Sequence, residues 1–151
     1  MEALNFDSGI REYKINNNGV LRFNPGDPNV YARFLEAAQK IQGIEDEMAA
    51  KTKTLHDAED NGGTVLRILA DADKQMKEVL GWVFGKGNDF DEIMEGVNLM
   101  AVASNGERVV TNLLNALLPI IQEGAEKCAE QQIGDAVQQA QTNRAQRRAR
   151  K

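Results

Sequence analysis

A calcium-binding loop is the first chemistry that the sequence suggests, through DAEDNG at residues 57–62. An EF-hand loop has oxygen ligands at its first, third and fifth positions, glycine at its sixth and a bidentate carboxylate at its twelfth. Here the ninth position is Val65 and the twelfth is Ile68, whose side chains cannot coordinate calcium. We therefore predict a solvated, turn-forming loop over residues 56–63 and no metal site.

A phosphate-binding loop is the second possibility, because GWVFGKG at residues 81–87 contains a Gly-Lys pair. The segment is one residue short of the motif and lacks the Ser or Thr that would hold magnesium. It also follows a helical pattern, whereas a phosphate loop precedes a helix so that free N–H groups meet the anion. We predict that glycine ends a helix here.

Nucleophilic and acid–base catalysis would depend on His56 and Cys128, the only histidine and the only cysteine. His56 has no recognisable nucleophile beside it, and the acids Glu126 and Glu130 oppose a thiolate at Cys128, for which a half-buried structural role is expected. The other carboxylate clusters, at residues 45–47, 71–73 and 89–92, fit helix starts and solvated faces. We therefore predict no catalytic residue, no cofactor and no enzymatic function.

The charge of the chain is divided between an acidic body and a basic end. The 151 residues carry a net charge of −5, but the last nine, NRAQRRARK, contribute five positive charges and no acid. The first 142 residues hold 13 basic and 23 acidic side chains, a net charge of −10. An acidic body does not favour nucleic-acid binding over its surface.

The basic end, residues 143–151, has three possible roles that the sequence leaves open. These are a disordered solubilising tail, a contact with an acidic protein surface and a contact with nucleic acid. We expect it to be disordered, because nothing in it can bury apolar surface. Its basic side chains are Arg144, Arg147, Arg148, Arg150 and Lys151.

Residues 1–26 have the pattern of a small antiparallel sheet. Apolar and polar residues alternate in residues 11–16 and 20–24, around an Asn-Gly turn. A preceding strand at residues 3–6, turning at residues 7–9, is a further candidate. Because two or three strands are marginal alone, the sheet must pack on helices or on another subunit.

Residues 27–142 are predicted to form a helical bundle. Asp27-Pro28 is a helix start, and apolar residues then recur at steps of three and four to about Leu55, and again from Val65 to Val83. We predict a short helix from Asp89 to about Met100 and a last helix capped by Ser104 with Glu107, kinked or broken by Pro119 near Leu117, and continuing as a polar helix to residue 140. The predicted fold class is mainly α, a bundle of three to four helices with an N-terminal β-hairpin or small antiparallel sheet. Residues 1–142 form one domain.

Membrane insertion and secretion are not expected. The longest uncharged apolar run, residues 113–121, is interrupted by Asn115 and Pro119 and is much shorter than the roughly 20 residues of a membrane span. The start of the sequence lacks the basic and apolar regions of a signal peptide. We expect a soluble cytoplasmic protein.

Three segments carry a resemblance to a known family: LNFDSGIREYKINNNGVLRFNPGDPNVYARF, GNDFDEIMEGVNLMAVASNGERVVTNLLNALLPII and NRAQRRARK. Together they resemble the tail assembly chaperones of siphophages and prophages of Gram-positive (Firmicutes) hosts. The resemblance implies a non-enzymatic factor that binds the tape measure protein and keeps it soluble in the host cytoplasm during tail tube assembly. It also implies two further partners, a frameshifted longer form of the chain and the tail tube protein.

Two sets of apolar residues are the candidate binding surfaces under this interpretation. Binding of a helical client requires an apolar groove, and the last helix has more apolar residues than a small core needs. The client-groove candidates, for which packing in the core is the alternative, are Trp82, Phe84, Val110, Leu113, Leu114, Leu117, Leu118 and Ile121. The candidates for self-association into a homo-oligomer, through an exposed sheet edge, are Tyr13, Ile15, Leu21 and Phe23.

A second function of another class is a small nucleic-acid-associated phage or prophage factor that acts through its C-terminal arginines. Salt-dependent binding that disappears on deletion of residues 143–151 would favour it.

Overall fold

The computed structural model describes residues 1–55 and 61–150. In this part of the chain four helices pack with a two-stranded antiparallel sheet, which confirms the predicted fold class. The elements are β1 (Arg11–Ile15), β2 (Gly19–Phe23), α1 (Pro28–Lys53), α2 (Asn61–Phe84), α3 (Phe90–Ile93) and α4 (Val109–Ala149).

The hairpin forms where alternation predicts it, with Tyr13 opposite Leu21 and Ile15 opposite Gly19. Leu21 and Phe23 point into the core and are 0 % and 2 % exposed. The predicted third strand was wrong, because residues 1–10 form no strand. The Gly9 amide donates to the Asp7 carboxylate, but residues 7–9 form no regular turn. Residues 1–6 are exposed and bury too little apolar surface to fix a strand.

Helices α1 and α2 pack side by side in opposite directions. Asp27 caps α1 by accepting from the Asn29 amide at 2.9 Å, with Pro28 in the first turn. The early turns of α1 meet the end of α2, where the Arg33 guanidinium donates to the Val83 carbonyl at 3.0 Å. The buried apolar side chains recur at three and four residues on each helix: Val30, Phe34, Ala37 and Ile41 on α1, and Ala72, Met76, Leu80 and Val83 on α2.

The boundaries of α2 and α3 differ from the sequence prediction. Helix α2 begins at Asn61, so the predicted loop ends before residue 63, and α2 stops as expected at Gly85, whose φ is +104°. Helix α3 has four residues instead of extending to Met100, because Glu95 and Gly96 take positive φ values and reverse the chain. The Asp89 side chain caps α3 by accepting hydrogen bonds from the backbone amides of Asp91 and Glu92.

Residues 94–108 connect α3 to α4 without a helix, yet they contribute Leu99 and Met100 to the core. The predicted cap at Ser104 was wrong: α4 starts at Val109, and its N-cap residue Arg108 makes no side-chain cap hydrogen bond. An isolated bridge between Val102 and Arg108 holds the loop closed instead.

Helix α4 runs for 41 residues and continues through Pro119. Proline removes a single backbone donor, and core packing of Leu117 and Ile121 on either side holds the helix together. Of the two predicted outcomes, a kink or a break, the break is wrong. The predicted disorder after Thr142 was also wrong, because α4 extends to Ala149 through a segment rich in the strong helix formers Ala, Gln and Arg.

Four aromatic rings in contact join the sheet to the helices. The Phe84 ring at the end of α2 lies 4.8 Å from the Phe23 ring and 5.7 Å from the Phe90 ring, centroid to centroid. The Tyr13 ring stacks on the Phe23 ring, with 5.0 Å between the centroids. Such pairs contribute about 0.5–1.5 kcal/mol each beyond burial, so the hairpin is anchored on the end of α2.

Candidate functional site

An open groove of about 930 Å³ lies between the C-terminal half of α2 and α3. Gly81 has no side chain and so leaves the cleft open. A Cβ at this position would lie 3.7 Å from the Asn88 carbonyl oxygen. We call this cleft the Trp82 groove. The residues that line its wall and floor include Lys77, Gly81, Trp82, Gly85, Phe90 and Asp91.

Trp82 is the large aromatic side chain at the wall of the groove. It is 41 % exposed, in contrast to Phe84, which is 7 % exposed. The Lys40 ammonium lies 3.7 Å from the centroid of the Trp82 ring, so α1 supports the indole through a cation–π contact. This contact holds a large apolar surface in place where a partner can reach it.

Lys77 lies at the floor of the groove, with a side chain only 8 % exposed. Its ammonium contacts Asp73 at 2.9 Å and Asp91 at 2.7 Å. Burial lowers the pKa of Lys77, but its hydrogen bonds to Asp91 and Asp73 and their charges outweigh burial and raise the pKa above its ordinary value of 10.5. The contribution of this charge to stability is complete below pH 10.5 and is lost as the pH rises through the higher folded-state pKa.

This electrostatic setting makes Lys77 a structural ammonium. A lysine that acts as a nucleophile or base needs a lowered pKa and an unpaired nitrogen. Lys77 has two carboxylate partners and a raised pKa. The ion pairs of Lys77 with Asp73 and Asp91 therefore order the groove floor.

Asp73 and Asp91 should contribute unequally to stability. Asp73 is 15 % exposed and also accepts from the Leu99 amide at 2.7 Å, whereas Asp91 is 70 % exposed. Asp73→Ala should lower the free energy of unfolding by about 3 kcal/mol, because it breaks a buried ion pair and leaves the Leu99 amide without its acceptor. Asp91→Ala should cost about 1 kcal/mol or less. Urea denaturation of both variants measures the difference, and equal losses would contradict this ranking.

Asn88 positions the groove, and the sequence reasoning missed it. Its side chain is 7 % exposed, and its Oδ1 accepts from the Arg22 amide at 2.9 Å. Its Nδ2 donates to the carbonyls of Arg22 at 2.8 Å and Phe84 at 2.9 Å. Asn88 thus pairs with β2 as a neighbouring strand would and also caps the end of α2. The only local signal was an asparagine directly after the glycines that end a helix.

The structure separates the predicted client-groove residues. Phe84 and one face of α4 are core, and only Trp82 lies in the groove. Among the α4 candidates, Leu114 and Leu118 are half-buried and pack against the core from outside. The fully packed candidates are Val110, Leu113, Leu117 and Ile121. The prediction that α4 and Trp82 share a groove is corrected, because the buried face of α4 packs against α1 and belongs to the core.

The predicted self-association residues are also divided. Leu21 and Phe23 are in the core and are not a free surface, because β2 packs its inner face on α3 and α2. Tyr13 and Ile15 are half-buried against the same core. Their strand β1 pairs with β2 along one edge, and within residues 1–55 and 61–150 no third strand joins the sheet.

The basic end lies on the exposed last turns of α4. The described residues Arg144, Arg147, Arg148 and Arg150 are all exposed. Lys151, His56 and most of the rejected calcium-loop motif, residues 57–60, fall outside the described residues. Cys128 is half-buried as predicted and lines a separate cleft of about 720 Å³ between α4 and residues 7–13.

Comparisons with protein-family models, curated proteins and solved structures found no match. In residues 1–55 and 61–150 no cluster of three or more His, Cys, Asp or Glu side chains is arranged to hold a metal ion. No helix in that part of the chain has the length and apolarity needed to cross a membrane.

Proposed function

We propose that this chain is a non-enzymatic phage tail assembly chaperone that binds the tape measure protein and keeps it soluble in the bacterial cytoplasm during tail tube assembly. The proposal starts from the resemblance of three sequence segments to phage tail assembly chaperones. The observation that carries it is the Trp82 groove, an open cleft with one exposed aromatic side chain on a helical body.

Helix-in-groove binding fits the groove's chemistry. An amphipathic client helix would place apolar side chains against Trp82 and the groove wall, and tryptophan is among the residues most enriched at binding hot spots. The lining of the groove carries charges of both signs, which suits a client helix with mixed charges on its flanks. The basic residues are Lys74 and Lys86, and the acidic ones are Glu78 and Asp89.

Co-expression with the tape measure protein of the same phage or prophage tests the proposal. A complex recovered by affinity pull-down and sized by light scattering, with the tape measure protein insoluble alone, supports it. An insoluble tape measure protein beside a chain that elutes alone contradicts it, provided that the frameshifted longer form is also co-expressed.

Trp82→Ala should weaken the complex with the tape measure protein at least about 30-fold. The substitution removes the exposed indole, and loss of a central aromatic anchor has an effect of about this size. Retention of the client on the immobilised chain, measured against chain concentration, gives the change in affinity.

Leu66→Ala is the matched control, because Leu66 lies on the same helix, is 68 % exposed and is outside the groove. It should change binding less than about threefold. Equal losses for the two variants would place the client elsewhere. Thermal unfolding of both variants checks that neither has lost its fold.

The exposed arginines favour nucleic-acid association as a second candidate function. Arg144, Arg147 and Arg148 lie at three- and four-residue spacing on a helix, which presents them on one face. Binding to a duplex DNA or an RNA that weakens steeply with salt and is lost on deletion of residues 143–151 supports this candidate. Binding that survives the deletion rejects it.

A further inference from the structure

The distal part of α4 lacks the packing that normally stabilises a helix. Every residue from Ala129 to Ala149 is exposed, over a length of about 31 Å. Ile133 and Val137 are 65 % and 53 % exposed. Helices in proteins owe most of their stability to the packing of an apolar face, so a partner is expected along this segment.

A single stripe runs along this part of α4, and its chemistry changes in order from base to tip. Successive members of the stripe are three or four residues apart, which keeps them on one side of the helix. It begins with two acids, continues through apolar side chains and ends with two arginines: Glu126, Glu130, Ile133, Val137, Ala140, Arg144 and Arg148.

The charged ends of the stripe are unsatisfied within the chain. Glu123 and Lys127 form an ion pair at 3.0 Å beside it. Among the described residues, Glu126, Glu130, Arg144 and Arg148 are exposed and take part in none of the chain's ion pairs. These four side chains are free to pair with another molecule.

We propose that two copies of this chain associate through the distal part of α4, packed antiparallel with Val137 at the twofold axis. Val137 lies midway between Glu130 and Arg144, and also midway between Glu126 and Arg148. One register therefore aligns both acids of each copy with both arginines of the other. It also places Ile133 of each copy within a turn of Ala140 of the other.

The charge order selects a second copy and the antiparallel direction. A parallel pair would align acids with acids and arginines with arginines, which is repulsive. The antiparallel pair is isologous, so a surface that is its own complement closes into a dimer. This inference does not depend on the proposed function, because the stripe and the Trp82 groove share no residue.

Charge reversal in the full chain tests the dimer. Size-exclusion light scattering at about 100 µM should give a dimer for the unsubstituted chain. The acid-reversed variant (Glu126→Arg with Glu130→Arg) and the base-reversed variant (Arg144→Glu with Arg148→Glu) should each raise the dimer dissociation constant at least about 30-fold. The swapped variant with all four substitutions should return within about threefold of the original value.

Asp135→Arg is the control, because Asp135 is exposed on the same segment but lies off the stripe. It should change the dissociation constant less than about twofold. Circular dichroism checks that each variant stays helical. A monomer at the stated concentration, or a swapped variant that stays monomeric while folded, overturns the proposal. A monomer that copurifies with nucleic acid through the arginines overturns it as well.

Discussion

Asn88→Asp should lower the free energy of unfolding by about 3–5 kcal/mol although it changes a single atom. The carboxylate still accepts from the Arg22 amide, but an oxygen replaces the Nδ2 group that donates to the carbonyls of Arg22 and Phe84. The buried Phe84 carbonyl and the part-buried Arg22 carbonyl then face a buried negative charge, which is more costly than an unmade hydrogen bond. Urea denaturation measures the loss.

The pH dependence of this variant separates the charge effect from a general loss of packing. Burial among carbonyls raises the pKa of the introduced carboxyl, and protonation returns one donor. The deficit relative to the unsubstituted protein should therefore shrink as the pH falls from neutral to about 4. Asn88→Ala, which adds no charge, should show no such recovery. A loss below about 1 kcal/mol for Asn88→Asp would mean that Asn88 does not join β2 to α2.

Gly124→Ala should destabilise the protein by about 2–4 kcal/mol, the second large effect. At Gly124 the backbone of α4 crosses residues 25–26, and a Cβ there would collide with the Pro25 carbonyl and approach the Gly26 amide at 3.0 Å. Backbone atoms cannot rotate away, so α4 or the chain before α1 must shift. Thermal or urea unfolding reports the change.

Gly43→Ala is the matched control in the exposed interior of α1, where nothing lies within 4 Å of an added Cβ. It should stabilise the protein by about 0.5–1 kcal/mol, because alanine is the better helix former. The two substitutions add the same methyl group to a helix, so opposite signs identify the crossing as the cause. A gain in stability for Gly124→Ala would show that α4 does not need this close approach.

The sequence determined the elements whose causes lie within a few residues. Asp27 and Asp89 cap helices where their positions predict, because the amides they accept from are two or three residues ahead. The spacing of apolar residues likewise predicts α1, α2 and the buried face of α4, since a helix repeats every 3.6 residues. The alternation around residues 16–19 predicts the hairpin.

Sequence reasoning missed the boundaries where a local signal was absent, as at Glu95, or where the tertiary structure overrode it, as at Ser104 and Pro119. Glu95 turns the chain away just after the end of α3, with a positive φ that glutamate rarely adopts. Pro119 is tolerated because its neighbours in α4 are packed in the core, a circumstance that proline alone does not indicate. The residues after Thr142 form a helix although they bury nothing within the chain.

Only the tertiary structure decided the site, because its contacts join residues distant in the sequence. Asn88 meets Arg22 across 66 positions, and Asp73 meets Leu99 across 26. The sequence explains Gly19 as part of the hairpin turn. The folded chain gives a second reason for glycine at this position, because the Ile93 carbonyl occupies the space that a side chain would need. Local periodicity fixes which face of an element is apolar, but the other elements determine which part of that face is buried and which part, as at Trp82, stays open to a partner.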